Sequence, residues 1–462
     1  MFWRARGMGS NITSGVIWKQ ILLFFFPIWL GTFFQQLYNT ADAVIVGNFV
    51  GKGALAAVGT TAVVQNLLVG FFVGVASGAS VVISQYYGAR QGKEVQRAVH
   101  TAMCLALIGG AAIMAVGFAA APWALRLMNT PADVMADAVL YLRTCFLGMI
   151  PSLVYNMGTG ILRAVGDSRR PLYFLVCASL TNILLDVVLV AGLGLGVLGA
   201  ALATVASQCV AAVMTVLSLT HTTACYRFDP AFLRLDGEML ARIVRIGLPA
   251  GLQSVMYSLS NSVVQASVNV FGTDVLAAYT AYGKIDSVFW MTMNSFGLSI
   301  TTFVGQNFGA GQYDRVKKGI RQCILMAFAA TGLLVAVPLV FGRFLFGLFV
   351  QDAPVIAQGM VILRYVVPFW PTYVLIEILS GSMRGAGDSL VPTVMTSLGV
   401  CVTRVVWLLT AAVFLWPTLQ GTLACYPISW SLTSLLFLAY YLQGGWLRRR
   451  IRAREAGGQQ PA

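Results

Sequence analysis

From residue 49 onward, a shift of 221 places along the chain lands on matching text. Gly88-Ala89 falls on Gly309-Ala310, Gln85 and Gln91 on Gln306 and Gln312, Arg143 on Arg364, and Arg163 on Arg384. Gly166-Asp167-Ser168 falls on Gly387-Asp388-Ser389, and Pro171 on Pro392. Upstream of a single-residue slip, Pro27 and Asn39 fall on Pro249 and Asn261 at a shift of 222. A chain duplicated in this way folds as two copies of one unit. Most of each half is apolar, so that unit is a bundle of membrane helices, and internal repeats of this kind recur in secondary transporters.

Composition supports the membrane reading. Hydrophobic residues make up 58% of the 462 residues and charged ones 10%, where a soluble domain carries about 25% charged residues. The eight cysteines are scattered through apolar runs without a C-x-x-C pair, and His100 and His221 stand far apart. Free thiols packed as small hydrophobes are expected, with no metal site and no cofactor. The first apolar run is long enough to span a bilayer and lacks a cleavage-type pattern, so it reads as a span, not a removed signal peptide.

Apolar runs bounded by charged or Gly/Pro-rich punctuation predict twelve spans in an all-α fold. In the first half they lie at roughly 16–41, 54–83, 97–122, 133–159, 171–191 and 197–221. In the second they lie at roughly 240–267, 276–304, 319–341, 354–380, 392–413 and 420–444. The corresponding organisation is a six-helix lobe over 1–222, a cytoplasmic linker over 223–239, a second six-helix lobe over 240–446 and a basic tail over 447–462. With twelve spans, 23 of the 30 basic residues fall on the side shared by both termini, Arg4, Arg6, Lys93, Arg97, Arg242, Arg315 and Arg448–Arg450 among them. The opposite loops hold only Lys52, Arg126 and Arg343. Lys/Arg excess marks the cytoplasmic side, which predicts a multi-pass protein of a bacterial-type cytoplasmic membrane with both termini inside. The net charge of +14 is thereby assigned to inside loops facing anionic lipid, and no nucleic-acid partner is implied. Six spans per repeat give both halves one orientation, related by a pseudo-two-fold along the membrane normal.

Two loop motifs recur. Gln85-x-x-Gly88-Ala89-x-Gln91 answers Gln306-x-x-Gly309-Ala310-x-Gln312, and Arg163-x-x-Gly166-Asp167-Ser168-x-x-Pro171 answers Arg384-x-x-Gly387-Asp388-Ser389-x-x-Pro392. Gly permits positive φ, Asp caps the following helix and Pro starts it, so each second motif is helix-turn-helix punctuation. Together with Gln35-Gln36-Leu37-Tyr38-Asn39-Thr40-Ala41-Asp42 on the first span, these motifs resemble the multidrug and toxic compound extrusion (MATE) family over nearly the whole chain, most like its DinF-like branch. The resemblance implies efflux of amphipathic, often cationic compounds driven by inward H⁺ or Na⁺. It further implies a V-shaped pair of six-helix lobes that alternate access, here expected as a monomer in the lipid bilayer.

Ionisable groups inside the bilayer are costly and usually functional. Four acids stand out in or at the edge of the predicted spans: Asp42, Asp186, Asp286 and Glu377. Gln35, Asn39 and Asp42 lie at i, i+4 and i+7, one helix face, and Asn182 precedes Asp186 by four. Two acids sharing a half-wet pocket would hold a proton near neutral pH. The resemblance implies a proton-linked network in the first lobe whose matching positions here are Asp42, Gln35, Tyr141, Asn182, Asp186 and Thr204. It also matches Pro27 to a proline at which the first span bends, and an internal proline does kink a helix. Asp286 is expected to pair with a neighbouring cation, Arg404 being the candidate. Glu377 is a weaker second-lobe candidate, one helical turn before the second Gly-Ser turn. The stretch Gly251–Gly272 holds no acid, which weighs against a sodium site of the pattern some members carry there.

The favoured reading is a proton-coupled exporter of amphipathic organic cations. The alternative is a flippase of lipid-linked precursors in the same superfamily, which would want a strongly basic cavity; only Arg143, Lys284, Arg364 and Arg404 fall well inside spans. An enzyme would need a catalytic constellation such as H-E-x-x-H, and two histidines cannot supply one.

Overall fold

The computed structural model of the chain describes residues 12–128 and 130–456. Arg4 and Arg6 of the predicted inside loop, and residues 457–462 of the predicted tail, lie outside the described residues. The described chain is all helix and turn, with no strand.

The first repeat runs α1 (Ile17–Phe49), α2 (Lys52–Gly88), α3 (Gly92–Leu127), α4 (Ala132–Leu147), α5 (Met149–Ala164), α6 (Arg169–Asp186) and α7 (Gly196–Thr220). α4 and α5 meet at a 48° bend around Gly148, and α6 runs on into a π-helical turn over Val187–Gly192. The second repeat runs α8 (Gly237–Asn269), α9 (Thr273–Gly309), α10 (Tyr313–Gly347), α11 (Ala353–Val366) and α12 (Trp370–Gly385). It continues as α13 (Leu390–Thr396), a π-helical turn over Ser397–Val402, and α14 (Thr403–Leu409). The short α15 (Ala411–Phe414) and α16 (Leu419–Leu423) then lead into α17 (Cys425–Leu442) and a final α18 (Gly445–Ala456). Every predicted span lies on helix. Nine helices are long and apolar enough to cross a membrane among the described residues, or ten with the bent α4–α5 pair counted as one. α8 and α9 carry more polar side chains and fall short of that measure.

The residues group into two compact units. Phe26–Gly251 belongs to the first, while Ile12–Phe25 groups with Leu252 onward in the second. Thus α1 changes unit next to its internal Pro27, and α8 changes unit two residues after its internal Pro249. In membranes, close packing needs small residues, because lipid offers apolar contact to any side chain and only near approach of backbones adds more. The first unit follows that rule. A Cβ on Gly74 would lie 2.4 Å from Gly251 Cα, and one on Gly78 would lie 2.5 Å from Gly247 N and Ile243 O. α2 and α8 therefore touch backbone to backbone. At the matching places of the second repeat stand Ser295 and Ser299, both buried, whose hydroxyls bond Met291 O and Ser295 O on their own helix at 2.7 Å each.

Both loop motifs form the same turn twice. Ala89 N and Gln91 N bond Gln85 O and Tyr86 O, as Ala310 N and Gln312 N bond Gln306 O and Asn307 O. The left-handed position is Arg90 (φ 57°) in one copy and Gly311 (φ 73°) in the other. In the second motif Gly166 and Gly387 take φ of 89° and 86°. Asp167 Oδ1 accepts from the amides of Arg169 and Arg170 at 3.0 and 3.1 Å, capping α6. Asp388 Oδ1 accepts from Val391 N at 3.5 Å and also meets Arg450 of α18 at 2.6 Å. From the same α18, Arg454 donates to Phe308 O and Gly309 O at the end of α9, where helix carbonyls lack partners.

On the linker side of the first unit, Arg97 bonds Asp236 Oδ2 at 2.7 Å and Glu94 at 2.8 Å. Arg242 bonds Glu238 and the Tyr86 hydroxyl. Asp236 also caps α8 through the Glu238 and Met239 amides. The Arg97 guanidinium, aided by those amides, holds the Asp236 carboxyl below its ordinary range.

Candidate functional site: an acid pair in the first repeat

Asp42 lies on α1, and Asp186 is the last residue of α6, at the point where the helix passes into its π turn. π turns widen the helix and displace side chains from the regular i+4 column, and they are common at functional sites. The two carboxyls lie close enough to act on each other, with no hydrogen bond joining them. Asp186 and Asn182, one turn apart on α6, are both 0% exposed. Asp42 Oδ1, both oxygens of Asp186, both amide atoms of Asn182 and Gln65 Nε2 are buried without a hydrogen-bond partner among the described atoms. Polar atoms so placed are costly unless something bonds them. Two neighbouring carboxylates are both acceptors, and a shared proton is one donor that would satisfy them.

Around the pair the predicted residues divide. Tyr141 on α4 is buried against Val46, Val190, Val197 and Ala200, close to Asp42 and beside Cys145. Asn182 shares the face of Asp186 as expected. Gln35 is exposed and stands beside Tyr38. Asn39 is exposed too and bonds Gln36 at 3.4 Å, so of that stripe only Asp42 reaches the second acid. The Thr204 hydroxyl donates to Ala200 O at 3.1 Å within α7. Three neighbours were not anticipated: Tyr38, which lies near Asp42 and Asp186, Gln65 on α2, and Cys145, which touches both Gln65 and Tyr141. Tyr38 could have been found, being four residues before Asp42 on one helix face. Gln65 gave no local signal.

The second-repeat acids lie elsewhere. Asp286 does not pair with Arg404: no ion pair joins them among the described residues. Its oxygens instead accept from Tyr282 at 3.1 Å and Trp290 Nε1 at 2.7 Å. Both donors sit four residues away on α9, so the helix itself satisfies the acid before a neighbouring span can. Glu377 accepts from the Tyr373 hydroxyl at 3.3 Å and faces Arg384 at 3.8 Å. Gly297 makes room for it, since a Cβ there would lie 2.0 Å from Glu377 Oε1. Among the described residues no three His, Cys, Asp or Glu side chains gather as a metal site would require.

Two repeats of membrane helices with ionisable groups sunk inside them define a carrier of the membrane, by architecture and by the placement of charge. The model of the MatE family matches twice, over residues 27–188 and 249–410, once on each repeat. This protein belongs to the MATE family. It is 29% identical over 447 residues to the probable multidrug resistance protein YoeA of Bacillus subtilis, covering 94% of this chain and 95% of that one. Its fold matches a MOP superfamily transporter from Pyrococcus furiosus with a TM-score of 0.87 and 25% identity, over 98% of this chain and 100% of the other. It also matches the outward-facing conformation of a multidrug resistance MATE family transporter, with a TM-score of 0.89 and 23% identity over 96% and 100% of the two chains.

Proposed function

We propose that this protein is a secondary multidrug efflux transporter that exports amphipathic organic cations in exchange for protons by alternating access. In this reading twelve spans form two six-helix lobes with both termini in the cytoplasm. The observation that carries it is the neighbouring pair of half-buried Asp42 and buried Asp186, with one oxygen of the first and both of the second unpartnered. A proton and an organic cation both neutralise such a pair, and each removes the other's binding energy. Loading one therefore expels the other, which is the thermodynamic requirement of exchange. Asn182 and Tyr141 orient the pair, and Tyr38, Gln65 and Cys145 complete its polar wall. Gln35 and Thr204 stand at its edge. Pro27 gives α1, which carries Asp42, a break in its hydrogen-bond ladder about which the acid can move. The names of relatives such as YoeA support multidrug efflux, and among the described residues no third His, Cys, Asp or Glu gathers at the pair, which favours H⁺ over Na⁺.

The test is ethidium efflux from proteoliposomes under separately imposed pH and sodium gradients. A pH gradient alone should drive efflux, and Asp42→Asn should bring it to the empty-vesicle level with the protein still folded. Efflux driven by sodium alone, or untouched in Asp42→Asn, would refute proton coupling through this pair.

A further inference from the structure

Arg404 is 1% exposed, on α14 within the apolar segment Leu390–Phe414. One of its terminal nitrogens, Nη1, donates to Asn261 Oδ1 at 2.8 Å, and the guanidinium lies over the Tyr426 ring at 4.7 Å. Those contacts fix both the plane and the rotation of the group. Its other edge, Nε and Nη2, is buried without any partner. That edge is the side-on fork of the guanidinium, two parallel N–H groups spaced to meet the two oxygens of one planar acceptor. Asp286 on α9 lies near enough to act on Arg404 through its charge, yet no hydrogen bond or ion pair joins the two among the described residues, and its oxygens accept instead from Tyr282 and Trp290. The unmet atoms nearby are donors as well: Trp430 Nε1 is buried and unpartnered, its ring 5.1 Å from that of Tyr426. Buried N–H groups left unmet on both side chains call for an acceptor from outside.

We propose that the Nε–Nη2 edge of Arg404 binds the carboxylate of an organic anion or zwitterion. Asn261 and Tyr426 position the guanidinium, the carboxylate oxygens accept the two free N–H groups, and the aromatic rings of Tyr426 and Trp430 flank the body of the ligand. A planar two-oxygen acceptor fits this fork better than a spherical halide does. The site uses neither Asp42 nor Asp186, so it stands apart from the exchange proposed above.

The test is equilibrium binding of radiolabelled benzoate to the full-length protein in lipid nanodiscs, with neutral benzamide as the isosteric control and no ion gradient. Benzoate should bind saturably and benzamide at least about tenfold more weakly. Arg404→Lys, which keeps the charge and loses the fork, should weaken benzoate at least about tenfold, and Arg404→Met should abolish its binding. Acetate should displace benzoate, and chloride at equal ionic strength should not. Equal binding of benzoate and benzamide, no benzoate binding at all, full retention in Arg404→Lys, or displacement by chloride as well as by acetate would each overturn the proposal. If either variant does not fold, the benzoate, benzamide and chloride comparison on the unaltered protein decides alone.

Discussion

The two repeats are alike in their turns and differ in the unmet groups at their deepest polar sites. In the first, acceptor oxygens of Asp42, Asp186 and Asn182 are buried without partners. In the second, Arg404, Trp370 and Trp430 leave donors unpaired. The positions correspond closely. Arg404 lies three residues before Trp407, which stands where the repeat places Asp186, and its partner Asn261 stands where the repeat places Asn39. Asp286 occupies the repeat position of Gln65, so each unit keeps a polar side chain there but inverts which lobe holds the acid. Duplication therefore preserved the backbone frame, whose turns demand particular φ angles and caps, while the buried polar sites were free to take either sign of charge.

That contrast can be broken in several ways. The largest effect should come from Asp186→Asn, which removes one of the facing acids and should bring pH-driven ethidium efflux to background. Trp407→Phe at the same repeat position should leave most of that efflux, because its indole bonds only Gly421 O. Next is packing. Gly78→Ser gives the first repeat the residue found in the second, but its Cβ would strike backbone atoms of α8, and a loss of about 3 kcal/mol or more is expected in thermal unfolding of the detergent-solubilised protein. The reverse exchange, Ser299→Gly, should cost about 1 kcal/mol. Equal losses for the pair would show that the two helix crossings are as tight as each other. Smaller still, Trp290→Phe removes one donor from Asp286 and should lower stability by about 1 kcal/mol, read as a shift in the same melt. The smallest effect concerns acid. Asp236 has a folded pKa held below its unfolded one, so its stabilising contact with Arg97 is present at neutral pH and is lost as the pH falls through the folded value. The protection of amides at the start of α8, taken relative to the free-peptide exchange rate at the same pH, should fall on acidification, and Asp236→Asn should make it low at both pH values.

Much of the frame was legible in the sequence because its rules are local. Hydrophobic run length located the helices. Gly166 and Gly387 announced positive φ, and Asp167 and Asp388 announced caps that the structure bears out. The polar sites were harder, since they depend on which helices meet and on competition within a helix. Asp286 carries aromatic donors at both i−4 and i+4, and these outcompete Arg404, an outcome that α-helical spacing could have revealed. The stripe Gln35, Asn39 and Asp42 was drawn from ideal 3.6-residue periodicity, yet Asn39 turns to Gln36. Neither π turn, after Asp186 and before Thr403, has a sequence signature, and both re-aim the side chains beside them. Gln65 joins the first-repeat pocket only through tertiary packing of α2.

The final helix has a practical side for anyone who handles this protein. Arg450 and Arg454 fasten α18 to both repeated turns of the second unit, through Asp388 and the last carbonyls of α9. A reporter or purification handle spliced in place of the residues after Leu447 would strip away both fasteners and leave helix-end carbonyls bare. The same handle appended beyond Ala456 would keep them, and comparing the monodispersity of the two fusions by fluorescence-detected size exclusion would measure how much those two arginines matter.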